Sequence, residues 1–402
     1  MRLAERVDDI GTETAFQAAA RARALEARGR DVIHLHLGEP DFDTPPNIVD
    51  AAARALAEGH THYAPPRGVP AFREAVAADF LARRGVPVSP DRVVITPGAK
   101  PVMAFALMAL VGPGDEVIVP DPGFPIYESM TRFVGGTPVP ISLRAANGFR
   151  LDLDELRSII TPRTRLLIFN SPQNPTGAVL TRSDIEGIAA IAMAHDLVVL
   201  ADEIYARIIH DGEHVSILAV DGMEERTIVL DGLSKTYAMT GWRLGWGILP
   251  TPLVPVFERL LINTVSCTAT FAQIAGAEAL NGPQDAVEAM VAEFRARRAL
   301  IVDGLNALPG VRAPMPAGAF YAFPDVSDTG MSGDDFAERL LEEAGVSVLA
   351  GTAFGRRATA SLRVSYATSQ ANLRRALERM ADFLATAGMT RPALRAPGSV
   401  SA

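Results

Sequence analysis

Lys235 and Arg243 stand eight residues apart in Asp231-Gly-Leu-Ser-Lys235-Thr-Tyr-Ala-Met-Thr-Gly-Trp-Arg243-Leu-Gly-Trp-Gly247. The apolar run before them, Thr227-Ile-Val-Leu230, reads as a buried strand. An amine at the end of such a strand is costly unless it is neutralised, paired or used covalently. Burial lowers its pKa and frees it to attack a carbonyl, the chemistry of Schiff-base lysines. Arg243 lies among Gly241, Gly245 and Gly247. Such small neighbours let the backbone approach a dianionic phosphate while the guanidinium binds it bidentately. One ligand would satisfy both cations: a phosphate that carries a carbonyl, as pyridoxal phosphate does. The alternative is a surface loop with two unrelated cations.

Other residues suited to chemistry follow apolar runs in the same way. Gly98-Ala-Lys100 follows Val93-Val-Ile95, Asp121-Pro-Gly-Phe124 follows Glu116-Val-Ile-Val119, and Asn170-Ser-Pro-Gln-Asn174-Pro-Thr-Gly177 follows Leu166-Leu-Ile-Phe169. Asp202-Glu-Ile-Tyr205 comes one residue after Leu197-Val-Val-Leu200. In open α/β sheets ligands bind outside the carboxyl ends of the strands, so these loops are expected to converge on one crevice. At Gly98–Lys100 a helix start, with Pro101 suited to its first turn, would offer backbone N–H groups to a phosphate.

The elements that must position these residues alternate regularly from Arg92 onward. Short Val-, Ile- and Leu-rich runs, the last being Gly245-Trp-Gly-Ile-Leu249, are separated by Ala- and Leu-rich helical stretches. Continuous apolar runs indicate strands buried on both faces, hence an α/β fold with a mainly parallel sheet sandwiched by helices. After about Asn281 the texture changes to a long charged helix (283–308), short strands around Val311, Ala319–Phe323, Val346–Leu349 and Ser361–Ser365, and a last helix from Gln370. The expected organisation is an N-terminal segment 1–45, a large ligand-binding domain 46–281, a smaller α+β domain 282–387 joined by the N-terminal segment, and a frayed tail 388–402. At 402 residues, two domains are the natural expectation.

Composition narrows the classes of function. The chain is 48% hydrophobic and 21% charged, as globular proteins are, and its net charge of -9 argues against nucleic acid or an anionic membrane as partner. The apolar stretch Val102–Val111 is half the length a bilayer needs, and acids near the N-terminus argue against a signal peptide, so a cytoplasmic protein is expected. The single cysteine, Cys267, excludes an intrachain disulfide and reads as a small packed residue. The pairs His34/His36, His60/His62 and His210/His214 lack the ligand pattern of a metal site. No glycine-rich fingerprint for dinucleotides or nucleoside triphosphates is present.

Asn174-Pro-Thr-Gly177, Asp202-Glu-Ile-Tyr205 and Ser234-Lys235 with Arg243, in this order and spacing, resemble the class I/II pyridoxal-phosphate aminotransferases of the aspartate-aminotransferase-like fold type I. The resemblance runs from Gly38-Glu-Pro-Asp-Phe-Asp-Thr-Pro to Arg363-Val-Ser-Tyr-Ala-Thr. It implies that Lys235 is the Schiff-base lysine and later the base that moves a proton between Cα and the cofactor. It implies that Asp202 keeps the pyridine nitrogen protonated and that Tyr205 and Asn174 face the phenolic oxygen. Gly98, Ala99, Lys100, Ser234 and Arg243 would cradle the phosphate. Phe124 would stack on the ring, at a place where Trp or Tyr is common. Tyr63 would reach the phosphate of a neighbouring subunit, making a homodimer with shared active sites. Arg363, with the Gly38 backbone, would bind the substrate α-carboxylate.

Gly232 departs from the pattern, because many relatives carry Ser or Thr there as a phosphate contact. The implied activity is amino transfer from an L-amino acid to a 2-oxo acid by a ping-pong mechanism. The alternative on the same fold is a lyase, by β-elimination or cyclisation. Lys100 is a possible cation for a substrate side chain, although no residue is assigned to a second carboxylate.

Overall fold

The computed structural model describes residues 3–11 and 14–388; the tail expected over 388–402 lies almost wholly outside them. Its centre is a seven-stranded sheet in the order Val93–Pro97, Leu244–Ile248, Thr227–Gly232, Val198–Asp202, Thr164–Asn170, Glu116–Asp121, Thr137–Ser142. Every neighbour pair is parallel except the two made by Leu244–Ile248, which runs against both of its neighbours. The expected α/β fold is therefore present. The strand Thr137–Ser142 is an addition to it: Pro138 and Pro140 disguise it in the sequence. It is an edge strand, where one side of the backbone has no partner to serve and proline is tolerated.

The continuous apolar runs have the structural meaning expected of them. Leu166 and Ile168 belong to one packed cluster and Leu167 and Phe169 to the other, one on each face of the sheet. A fully buried Leu or Ile contributes about 1.5–3 kcal/mol, so both helix layers are held strongly. The first cluster does not stop at the large sheet. It continues through Phe294, Ile301 and Leu305 of the helix Asp285–Asn306 into Phe320, Tyr321, Val346 and Val364.

Those last residues carry two small sheets. Ile33–His34 pairs in parallel with Val346–Ser347, and Leu349–Ala350, Leu362–Ser365 and Tyr321–Ala322 form an antiparallel trio. The run Val346–Leu349, expected as one strand, is thus split between two sheets. The helices begin where local chemistry says they should. Pro46, Pro70 and Pro101 occupy first-turn positions, and Thr181 and Asp184 close a reciprocal capping box.

Candidate active site

At the carboxyl ends of the central strands lies a cavity of about 450 Å³, within the range of small-molecule sites. Gly38, Ala99, Lys100, Phe124, Asn174, Asp202, Tyr205, Ser234, Lys235, Arg243 and Arg363 all line it. Gly98 stands at its edge, against Arg243. Tyr63 does not enter the cavity of its own chain and is 88% exposed. A larger cavity of about 670 Å³, bounded by Asp121, Arg144, Arg312 and Arg357, contains none of these residues.

Lys235 sits on the one-turn helix Leu233–Thr236, immediately beyond its strand, and its Nζ donates to the Gly38 carbonyl at 2.6 Å. The loop bearing Gly38 is fixed by Thr44, whose hydroxyl donates to the Ala238 carbonyl and accepts from Trp242 Nε1, both at 2.9 Å. Arg243 immediately precedes the reversed strand, has a positive φ of 55° and is anchored by Nη1 on the Thr240 carbonyl at 2.8 Å. Gly98 has φ +84°, which favours glycine, and a Cβ there would displace the Arg243 guanidinium from its place. The helix Lys100–Leu110 starts beside it with no side-chain cap and no acid in its first turn. A helix N-terminus, a hydroxyl from Ser234 and a guanidinium together suit a phosphate monoester.

Asp202 closes its strand 7% exposed, with Oδ2 accepting from the Tyr127 hydroxyl at 2.6 Å and Oδ1 from the Ile204 N–H at 3.2 Å. Burial pushes its carboxyl up to about 6, against the pull of those two donors. A carboxylate so placed suits a protonated ring nitrogen, which would relieve the burial cost. Tyr205 shares a hydrogen bond with Tyr321, Oη to Oη 2.8 Å, and burial holds its hydroxyl protonated. Arg363, 4% exposed, donates to Asn174 Oδ1 at 3.0 Å and to the His36 carbonyl at 2.6 Å. Its guanidinium lies over the rings of Tyr321 and Phe354, 4.5 and 4.8 Å from their centroids. Phe124 meets Tyr127 edge-on at 5.6 Å.

Among the lining residues that the sequence reading did not single out are two tyrosines, Tyr127 and Tyr321. Tyr127 follows Phe124 by three positions at the start of a helix, a spacing that could have suggested it. Tyr321 lies in an aromatic run, and nothing local distinguishes it from its neighbours. The departure at Gly232 also acquires a cause. A Cβ there would stand 2.8 Å from the Leu244 carbonyl and 3.0 Å from Gly245 Cα, so the reversed strand leaves no room for a side chain.

An α/β sheet that brings an amine, a buried carboxylate, a helix N-terminus with a guanidinium beside it and a second, buried arginine to one crevice suits an enzyme acting on amino acids. The family model for aminotransferases of class I and II matches residues 30–380, and the chain belongs to that family. It is a transaminase. It is 41% identical over 388 residues to aromatic-amino-acid aminotransferase 2 of Thermococcus litoralis, covering 96% of this chain and 98% of that one. It is 42% identical over 361 residues to an arginine–pyruvate transaminase of Pseudomonas aeruginosa, covering 90% and 92%. The structure of aspartate aminotransferase from Thermus thermophilus with maleate superposes with a TM-score of 0.91 at 41% identity, covering 95% and 100%. Among the described residues no helix is long and apolar enough to cross a membrane, and no group of side chains could hold a metal ion.

Proposed function

We propose that the cavity binds pyridoxal phosphate and moves an amino group from an L-amino acid to a 2-oxo acid in two half-reactions. The observation that carries this reading is the convergence of Lys235, Asp202, Arg243 and Arg363 on one cavity from separate parts of the chain. When bound, the cofactor supplies an electron sink for the carbanion formed at the substrate Cα. The protein residues do the rest. Ser234, Arg243 and the backbone of Gly98, Ala99 and Lys100 hold the phosphate, Phe124 covers the ring, and Asp202 holds a proton on its nitrogen. Asn174 and Tyr205 donate to its phenolic oxygen. Arg363 orients the substrate α-carboxylate, and Lys235 would take the proton from Cα and deliver it to the cofactor carbon that carries the aldehyde, across the shared nitrogen. Residues 46–281 form the cofactor-holding unit in this reading, and 282–387 with 1–45 contribute the carboxylate side. Tyr63, exposed on its own chain, serves the partner's site in a homodimer.

The test is a half-reaction screen. Protein loaded with pyridoxal phosphate is mixed with single amino acids, and conversion of its visible band to that of the amine form is followed. The reading requires conversion without an added acceptor, continuous turnover only with a 2-oxo acid, and no conversion by Lys235→Ala. Continuous oxo-acid release with no acceptor would instead mark an eliminating enzyme.

A further inference from the structure

The two motifs that supply Lys235 and Asp202 each carry an acid that the proposed chemistry leaves unused: Asp231 and Glu203. Side chains alternate across a strand, so both point away from the cavity that Asp202 and Leu230 line. The Glu203 N–H donates to the Leu230 carbonyl at 2.9 Å, so the two strand ends run side by side there. Behind the sheet two carboxylates are therefore buried next to each other, an arrangement that would force the strand ends apart unless a cation lay between them.

That cation is Arg84, the last residue of the helix Pro70–Arg84, with a side chain 5% exposed. Its Nε donates to Glu203 Oε2 at 2.9 Å and its Nη2 to Asp231 Oδ2 at 2.5 Å. Gly85, left-handed at φ 67°, ends the helix at that point, and the Phe80 ring lies 4.5 Å from the guanidinium. Around it Ser216 donates to Glu203 Oε1 at 2.6 Å, His214 Nε2 is 3.0 Å from Glu203 Oε2, and the Gly232 N–H donates to Asp231 Oδ1 at 2.7 Å. Burial opposes the charge on Arg84, and the carboxylates of Asp231 and Glu203 outweigh it.

We infer that Arg84 is a positioning residue for the reaction: its fork ties Glu203 to Asp231 and thereby sets the spacing between Asp202 and Lys235 on the opposite face. One side of the fork acts one residue from Asp202 and the other four residues from Lys235. The guanidinium geometry matters as well as the charge, because lysine offers a single point and cannot span two carboxylates in fixed directions. The inference rests on the proposed roles of Asp202 and Lys235.

The test uses three variants of the full chain: Glu203→Gln and Asp231→Asn, which keep the shape and remove the charge, and Arg84→Lys, which keeps the charge and removes the fork. They are read by the affinity of cofactor-free protein for pyridoxal phosphate, by the pH midpoint of the bound cofactor's visible band, and by kcat and KM. A displacement of the reacting groups by a fraction of an ångström predicts a fall in kcat of about tenfold or more for Arg84→Lys, with the amino-acid KM little changed. It also predicts a band midpoint displaced by about half a unit or more. Glu203→Gln is expected to act mainly on cofactor affinity, through Asp202, and Asp231→Asn mainly on the band midpoint, through Lys235. Loss of thermal stability with affinity, midpoint and kcat all unchanged would reduce Arg84 to a structural ion pair and overturn the inference. So would an Arg84→Lys protein indistinguishable from wild type. Wild-type protein that took up no pyridoxal phosphate would defeat the proposed function itself, an outcome visible before any variant is made.

Discussion

Arg363 and Asn174, 189 positions apart in the chain, are joined side chain to side chain at 3.0 Å. The bond links the smaller antiparallel sheet to the loop after the Thr164–Asn170 strand, so the groups expected at the substrate carboxylate and at the cofactor ring are set by one contact. Arg363→Lys keeps the charge and loses the planar fork. Charge-assisted hydrogen bonds of this kind contribute about 2 kcal/mol, so kcat/KM for the amino acid should fall roughly 30-fold. The loss should appear mainly in KM. A steady-state comparison of the two proteins checks this, and a loss confined to kcat would contradict the assignment.

Asp202 gives a pH prediction. Its folded-state carboxyl is pushed up to about 6 by burial, above the ordinary 3.8, so the cofactor-free fold binds this proton more tightly than the unfolded chain does. The group's favourable contribution is complete below about pH 4 and is lost as the pH rises through about 6, roughly 3 kcal/mol in all. Asp202→Asn removes that dependence, so cofactor-free variant should be more stable than wild type at pH 7 while its kcat falls about 100-fold or more. Denaturant unfolding of both cofactor-free proteins at pH 4.5 and 7 measures the difference. Equal pH dependence in the two would show that Asp202 carries no burial cost.

Gly232→Ser tests the departure from the family pattern. Restoring the hydroxyl should not strengthen cofactor binding, because a Cβ there meets the Leu244 carbonyl at 2.8 Å. Gly232 has extended backbone, φ 174°, so the obstacle is crowding alone. The expected cost is about 1–3 kcal/mol of stability, measured by unfolding, with cofactor affinity unchanged or reduced. A tighter-binding variant would mean that the reversed strand yields more easily than its packing implies.

Tyr63→Phe tests the shared site. On its own chain Tyr63 is 88% exposed, so removing its hydroxyl should leave chain stability within about 0.5 kcal/mol. If the hydroxyl reaches the partner's phosphate, cofactor affinity should fall about tenfold, as loss of one hydrogen bond to a charged group would cause. Titration of cofactor-free protein, with sedimentation to establish the dimer, reads both. Unchanged affinity would remove Tyr63 from the site.

What the sequence made legible follows from how locally each feature is determined. Strands buried on both faces must be apolar throughout, so Leu166–Phe169 and Ile228–Leu230 declare themselves, and the residues ending them inherit a place at the crevice. Thr137–Ser142 does not, because an edge strand can carry Pro138 and Pro140 without losing its one ladder. Arg84 was invisible for another reason. Its partners are 119 and 147 residues away, and a helix-ending arginine before glycine looks like any exposed C-terminal cation. Tyr321 likewise becomes a site residue only when its strand is brought against Tyr205 and Arg363.

The backward course of Leu244–Ile248 has a consequence for how robust the site is. Because that strand sets out from the edge at which Thr227–Gly232 arrives, the one short stretch between them carries both Lys235 and Arg243, the amine and the guanidinium expected at the cofactor. Their separation is consequently written into contiguous chain and does not depend on how the remote C-terminal sheets are seated. Under the proposed roles, rearrangement of those sheets would bear on the substrate side through Arg363 while leaving the spacing of Lys235 and Arg243 as the chain itself sets it, a division of labour that lets one scaffold change its diet without rebuilding its reactive centre.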